Sequence, residues 1–121
     1  MIAVMGFVLS ANANTGFEVT NVTTSHHQDA RGAFTITVTV RPTFTPTGNG
    51  SYTVIVVPTN SAIANLLGSQ RQEITFGFEN GRWRSGPSGT SARSVTFMCY
   101  TDRRPHCTVN DFAVSRSFRN H

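Results

Sequence analysis

The chain has 121 residues, of which 38% are hydrophobic and 13% are charged. This length suits a single domain with one core, and the composition is too apolar and too weakly charged for a disordered chain. All ten basic residues are arginine, and with six carboxylates they leave a net charge of +4. Because no basic run is longer than Arg103-Arg104, nucleic acid is not expected as a partner. No apolar run reaches the roughly 20 residues that a membrane-spanning helix needs.

The first thirteen residues are apolar and end in Ala11-Asn12-Ala13. They resemble the second half of a secretory signal, but no positive charge precedes the apolar stretch, which favours a structural strand. Both faces of such a strand would be apolar, so it would be costly to expose. We expect residues 1–13 to be an apolar N-terminal strand or a signal-like segment, and residues 14–121 to form one domain. The residues predicted to make assembly contacts there are Ile2, Val4, Phe7, Val8 and Leu9.

Short blocks of alternating apolar and polar residues, separated by turn residues, predict an all-β chain. Phe17, Val19 and Asn21 should share one face of the first block. Ser51–Val57 is apolar on both faces, as in a central strand that is covered on both sides. In chain order, the predicted strands lie at Phe17–Val22, Phe34–Thr47 with a break at Arg41-Pro42, Ser51–Val57, Glu73–Glu79, Arg82–Arg84, Val95–Cys99 and Phe112–Phe118.

Two local signals refine this pattern. Asn60 or Ser61 can cap a short helix near residues 61–67, and Asn80-Gly81 is a strong hairpin signal. The spacing of the strands predicts an immunoglobulin-like β-sandwich of about seven or eight short antiparallel strands. A small β-barrel is the alternative.

The two cysteines, Cys99 and Cys107, are separated by seven residues with the composition of a turn. Strands leaving such a turn would place the sulfurs side by side, which predicts a disulfide and an oxidising compartment. Two sequons, at Asn21 and Asn49, are possible glycosylation sites.

The sequence contains residue types that occur in catalytic sites, but no spacing pattern places them in one site. Met98, Cys99, His106 and the pair His26-His27 lack the spacing of a copper site, and adjacent strand residues point to opposite faces. A ribonuclease would need carboxylates and histidines near arginines, but alternation puts Glu73 and Glu79 on the solvent face. We therefore expect no enzyme activity, no cofactor and no metal.

Two surfaces are candidates for contact. Thr35, Thr37 and Thr39 should face away from the core, as β-branched residues on a sheet surface. A second candidate combines the single tryptophan with arginines, residue types that are enriched in binding sites. Its predicted contact residues are Arg82, Trp83, Arg84, Arg103 and Arg104.

Because strand patterns are abundant and catalytic patterns are missing, the sequence favours a non-enzymatic structural or assembly subunit. We expect it in an extracytoplasmic setting (periplasm, cell surface or secreted) or in a particle, as in a pilus-like, envelope or phage assembly. Its partners would be copies of itself or other subunits, contacted through sheet edges and the N-terminal strand. The alternative is a secreted binding module that recognises an anionic or glycan ligand through the Arg and Trp surface.

Overall fold

The structure, a computed structural model, describes residues 15–26, 33–86, 89–101 and 103–120. The predicted N-terminal strand therefore lies outside the described residues. The elements in chain order are β1 (Phe17–His26), β2 (Ala33–Pro42), β3 (Gly50–Pro58), α1 (Ser61–Ala64), β4 (Gln72–Glu79), β5 (Arg82–Trp83), β6 (Arg93–Tyr100), a 3₁₀ turn (Val109–Asp111) and β7 (Phe112–Asn120).

The seven strands form two separate antiparallel sheets. Sheet A has three strands in the order β1-β2-β6, and sheet B has four in the order β5-β4-β3-β7. The all-β prediction is confirmed. The small-barrel alternative is wrong, because the strands of the described residues do not join into one closed sheet.

One hydrophobic core collects residues from both sheets. Each contributing strand supplies alternate side chains, because successive side chains of a strand point to opposite faces. Phe97 of sheet A, for example, packs against Phe112 of sheet B, with ring centroids 5.2 Å apart. The buried members of the core are Phe17, Val19, Phe34, Ile36, Val38, Val40, Val54, Val56, Leu67, Ile74, Phe76, Phe97, Cys99, Phe112 and Val114.

The central strand of sheet B differs from its prediction. β3 does lie between β4 and β7, but only Val54 and Val56 of its apolar run are fully buried, while Ile55 and Val57 are half-buried. Its outer face is covered only in part, so the expectation of a strand covered on both sides is wrong. Burial therefore alternates along β3, as it does along the other strands, although the sequence of β3 is apolar on both faces.

A bulge interrupts the pairing of β1 with β2. Val19 is paired with Val40, whereas the next paired residue, Asn21, lies opposite Thr39, so Thr20 is an extra residue. Beyond this position Val22 packs against the core and Asn21 is exposed. The prediction that Asn21 shares a face with Phe17 and Val19 is therefore wrong, because a bulge shifts the alternation of the strand by one residue.

Both local signals read from the sequence are confirmed. Asn80 and Gly81 have φ angles of 54° and 74°, which is the combination that a tight turn between β4 and β5 requires. The Asn60 side chain accepts a hydrogen bond from the backbone N–H of Ile63 at 2.8 Å and so caps α1, which ends earlier than predicted, at Ala64. No helix among the described residues is long and apolar enough to cross a membrane.

Candidate functional site

Seven aromatic side chains meet where β1 and β6 begin and β2, β4 and β7 end, and we call this region the aromatic end. Phe17 of sheet A lies at its centre, with ring centroids 4.8 Å from Phe76 and 5.7 Å from Tyr52. Edge-to-face contacts of this kind stabilise a core beyond the area that they bury. The members of the aromatic end are Phe17, Phe44, Tyr52, Phe76, Phe78, Trp83 and Phe118.

Trp83 belongs to the aromatic end and is half-buried there. Its indole Nε1–H donates to the carbonyl oxygen of Phe44 at 2.9 Å, and its ring meets Phe44 and Phe78 at right or steep angles. The polar atom of the indole is thus already bonded within the chain. The ring therefore fills the rim of the core and presents little of itself to a ligand.

The end of β7 forms the solvent-exposed side of the aromatic end. Phe118 has the alternation of the buried residues Phe112 and Val114, which places it on the inner face of sheet B, yet it is 52% exposed. Its ring lies 4.9 Å from Tyr52 and 6.2 Å from Phe78 between centroids. A large apolar side chain that points toward the core side and remains half in water marks a place where the core is incomplete.

Arg116 lies beside Phe118 on the same face of β7. Its guanidinium carbon is 5.4 Å from the ring centroid of Phe44 and 5.1 Å from that of Tyr52. Such cation–π contacts hold the long side chain along the aromatic surface while its charge stays in water. The arginine thus covers part of the aromatic end with its stem, and Phe118 next to it stays open.

The predicted Arg and Trp surface is divided between two ends of the molecule. Arg82 and Arg84 are exposed at the aromatic end, where Arg84 Nη2 lies 3.4 Å from Glu79 Oε1. Arg103 and Arg104 follow β6, whose last residue pairs with the first residue of β2, at the opposite end of sheet A. The arginines are exposed, but they form two groups at opposite ends of the molecule and not the single surface that the sequence predicted.

Arg104 makes two contacts of its own. One of its guanidinium nitrogens donates to the carbonyl oxygen of Thr24 on β1, and the guanidinium carbon lies 5.6 Å from the centroid of the Phe34 ring. These contacts connect the segment after β6 to the edge of sheet A. Arg104 thus has a structural role, although both Arg103 and Arg104 are exposed.

The predicted disulfide is not formed in the structure, where Cys99 and Cys107 are both free thiols. The prediction assumed that one turn joins two neighbouring strands, whereas β6 pairs with β2 and β7 pairs with β3 in the other sheet. Cys99 is buried in the core and Cys107 is half-buried beside it. Burial, together with the nearby charges of Asp111 and Cys99, raises the pKa of the Cys107 thiol to about 11. Burial likewise raises the pKa of Cys99.

The threonine row of β2 continues onto both neighbouring strands, a feature that the alternation of β2 alone does not reveal. Thr37 lies between Thr23 of β1 and Thr96 of β6, and Thr39 lies opposite Ser94 with a hydroxyl-to-hydroxyl distance of 2.8 Å. Such cross-strand hydroxyl pairs stabilise a sheet. The middle of the outer face of sheet A therefore carries hydroxyl groups across three strands, and the Arg41–Glu18 ion pair lies at one end of this row.

The carboxylates considered for catalysis lie near arginines, but at opposite ends of one strand. Glu73 and Glu79 lie at the two ends of β4, exposed as expected, and Glu73 Oε2 is 3.1 Å from Arg71 Nη2. His26 lies at the end of β1, and its ring packs 4.6 Å from that of Phe34. Among the described residues, no group of three or more His, Cys, Asp or Glu side chains is arranged to hold a metal ion.

The residue that sequence reasoning missed is Arg116. Alternation along β7 places Arg116 on the same face as Phe112, Val114 and Phe118. This pattern is the sequence signal that could have identified Arg116. The sequence did not reveal that this face becomes exposed after Val114, because exposure depends on contacts that are distant in sequence.

Comparison with known proteins gives no further guide. No protein-family model matches the chain, and neither the curated proteins nor the solved structures include a match.

Proposed function

We propose that this chain is a non-enzymatic structural subunit with an immunoglobulin-like sandwich, and that it joins copies of itself or other subunits through its sheet edges and its apolar N-terminal segment. The setting is an extracytoplasmic or particle-forming assembly, of the pilus-like, envelope or phage-particle kind.

The half-exposed ring of Phe118 on the core side of β7 is the observation that carries this proposal. Within one copy the aromatic end leaves that ring open, although it stacks on Phe78 and packs at a tilt against Tyr52. An exposed aromatic side chain on the core side of a strand suits a contact site that a partner covers. A strand or side chain from a neighbouring subunit would complete the core there.

The edge strands of both sheets, as the described residues define them, support the same reading. Edge strands carry backbone groups that can pair with another chain, and proteins that remain monomeric usually protect these edges with charge, proline or short strands. β7 runs for nine residues and contains two arginines, Arg116 and Arg119, of which Arg116 lies on the aromatic rings. Edge strands of this length are long enough to pair with a strand of a neighbouring subunit.

The alternative, a secreted module that binds an anionic or glycan ligand, has less support. Trp83 is bonded and packed within the chain, and Arg84 is near Glu79. Arg82 and Arg103 remain exposed, but the strands hold them at different ends of the molecule. A ligand of ordinary size would meet only one of these groups.

The test is the solution mass of the full chain, measured by light scattering over a wide range of protein concentrations and at low and high salt. We expect oligomers whose mass changes little with salt, because burial of apolar surface is not screened. A monomer at every concentration would contradict the proposed function. Oligomers that dissociate as salt rises would instead point to contacts through arginine.

A further inference from the structure

The positive charge of the chain is concentrated at the aromatic end. Six of its ten arginines belong to the ends of strands that meet there, or directly follow them, and two of its six carboxylates accompany them. The other four arginines and four carboxylates of the sequence cancel, so the aromatic end accounts for the whole net charge of +4. Its charged residues are Arg41, Arg82, Arg84, Arg93, Arg116, Arg119, Glu18 and Glu79.

Strands that are distant in sequence bring these arginines to one end. Arg41 lies near the end of β2, Arg82 in β5, Arg93 at the start of β6 and Arg116 near the end of β7. A basic surface needs arginines that are close in space, whether or not they form a run in the sequence. The lack of long basic runs, on which the expectation of no nucleic-acid partner depends, therefore does not describe the folded surface.

Most of these arginines are accessible to an anion. Arg41 and Arg84 are paired with carboxylates, Arg41 with Glu18 at 2.6 Å and Arg84 with Glu79 at 3.4 Å. Ion pairs between exposed groups contribute little to stability, so these arginines can exchange a carboxylate for a phosphate at small cost. The planar guanidinium group matches the geometry of phosphate oxygens. The exposed arginines of the aromatic end are Arg41, Arg82, Arg84 and Arg116.

Phe118 adds a flat apolar ring to this basic surface. The side chain is 52% exposed, and its ring stacks on that of Phe78 with an angle of 23° between the planes. Two residues earlier on the same face, the guanidinium carbon of Arg116 lies 5.4 Å from the ring centroid of Phe44 and 5.1 Å from that of Tyr52. Aromatic rings beside guanidinium groups are the combination on which the bases of a single strand stack while its phosphates bind arginine.

A single strand suits this surface better than a duplex. The bases of a duplex are stacked on one another, so a protein ring reaches a base face only where the stack is opened. In a single strand the base faces are accessible, and an exposed ring can stack on any of them. The half-exposed ring of Phe118 thus adds to single-strand binding an energy that duplex binding would lack.

We propose that the aromatic end binds single-stranded nucleic acid, with phosphates on the exposed arginines and a base on the ring of Phe118. This inference goes beyond the proposed function and does not depend on it, because one copy of the chain presents all of these groups. A neighbouring subunit would cover the same ring, so nucleic acid and self-association should compete at Phe118.

Fluorescence anisotropy of a labelled oligothymidylate of about 16 nucleotides, the upper site size of a single binding domain, measures binding to the full chain. We expect the affinity to fall as salt rises, with a slope of about −2 to −3 on logarithmic axes for three or four phosphate contacts. No binding at low salt would overturn the inference. The proposed function would not be affected, because light scattering of the chain alone tests it.

Phe118→Leu tests the base contact, because leucine keeps an apolar side chain and removes the flat ring. We expect the affinity for oligothymidylate to fall about fivefold or more, and the affinity for heparin, a polyanion without bases, to stay unchanged. Tyr100→Leu removes the other large exposed ring, at the opposite end, and should leave both affinities unchanged. Unchanged oligothymidylate binding in Phe118→Leu, or an equal loss for heparin, would overturn the inference.

A pair of charge substitutions tests where the phosphates bind. Arg82→Gln should weaken oligothymidylate binding and reduce the salt slope by about 0.7, the loss of one phosphate contact. Arg103→Gln removes the same charge from an exposed position at the opposite end and should leave the slope unchanged. Equal effects of the two substitutions would mean that the net charge of the chain, and not the aromatic end, attracts the nucleic acid, and would contradict the proposed site.

Discussion

The rings of Phe17 and Phe76 meet across the space between the two sheets, with centroids 4.8 Å apart. Phe17 is the first residue of β1 and is fully buried, and it also contacts Phe44, Tyr52 and Trp83. One side chain of sheet A thus holds together the aromatic residues of sheet B and of the segment after β2. The stability of this end of the molecule depends on it.

Replacing Phe17 with alanine should lower the free energy of unfolding by about 3–5 kcal/mol, because a large buried ring leaves a cavity that the two sheets cannot fill. Urea unfolding followed by Trp83 fluorescence measures the change, at concentrations where the chain has the mass of a monomer. Phe118→Ala is the matched control, with an expected loss of about 1 kcal/mol because its ring is already half in water. A larger loss for Phe118→Ala than for Phe17→Ala would contradict the packing described here.

The turn between β4 and β5 should be sensitive to a single added methyl group. Gly81 has a φ angle of 74°, where a Cβ atom is strained, so Gly81→Ala should cost about 1–2 kcal/mol in the free energy of unfolding. Asn80→Gly, at the neighbouring position with φ of 54°, should change stability by less than about 0.5 kcal/mol. Thermal unfolding of the two variants beside the parent chain provides the comparison, and similar melting temperatures for both would be inconsistent with this turn geometry.

The Cys107 thiol should react slowly in the folded chain. Its pKa of about 11, against an ordinary value near 9, lowers the thiolate fraction at pH 8 by about a hundredfold. The higher nucleophilicity of a more basic thiolate offsets part of this effect, which leaves alkylation about tenfold slower than in the chain unfolded in urea. Iodoacetamide labelling with peptide mass analysis measures the rate at Cys107, and equal rates in the two states would exclude the raised pKa.

The same shift predicts a loss of stability at alkaline pH. The unfolded chain begins to lose the proton of this thiol near pH 9, whereas the folded chain holds it until about pH 11. The contribution to folding is therefore complete below pH 9 and decreases as the pH rises from 9 to 11. Cys107→Ser should show a smaller decrease across this window than the parent chain, and parallel curves would contradict the prediction.

Asp111 has two roles: it caps the 3₁₀ turn, and its charge raises the pKa of the Cys107 thiol. Its Oδ2 accepts a hydrogen bond from the backbone N–H of Thr108 at 2.7 Å, and its charge contributes to the raised pKa of Cys107. Asp111→Asn should cost about 1 kcal/mol of stability through the weakened cap and should make Cys107 react faster at pH 8. Asn110→Ala, which changes no charge, is the control. If Cys107 reacts at the same rate in Asp111→Asn as in the parent chain, the charge of Asp111 does not raise the pKa of Cys107.

Local features were predictable because they depend on residues that are close in sequence. The strands follow from alternation, and the β4–β5 hairpin follows from Asn80-Gly81, since few other pairs adopt those backbone angles. The expected exposure of Glu73 and Glu79 also follows from alternation along one strand. In each case the physical cause lies within a window of a few residues.

Pairing between strands was not predictable from the same signals. The segment between Cys99 and Cys107 has the composition of a turn, but it crosses from sheet A to sheet B instead of returning beside β6. The partner of a strand depends on contacts distant in sequence, which one sequence without relatives does not reveal. The predicted disulfide and the joined Arg and Trp surface both failed for this reason.

The candidate site was predicted in part. Exposure of Arg82 and Arg84 followed from their place beside a turn, but the burial of the Trp83 ring depends on Phe44 and Tyr52, which come from other parts of the chain. Phe118 and Arg116 could be assigned to one face of β7 by alternation. Their exposure depends on contacts between distant parts of the chain, which no local pattern encodes.

Because of the bulge at Thr20, β1 can lose one residue without a change in its register with β2. An extra residue in a regular strand turns every later side chain to the opposite face, which would bring Val22 to the surface. Here the pairing resumes at Asn21 opposite Thr39, so the disturbance ends at one position and Val22 still packs inside. A chain without Thr20 would keep all later pairs of β1 and β2, and would lose the local bend, the added twist and the hydrogen bond that the Thr20 hydroxyl donates to the carbonyl oxygen of Thr39. This strand can therefore accept a one-residue deletion at a position where most strands would lose their register.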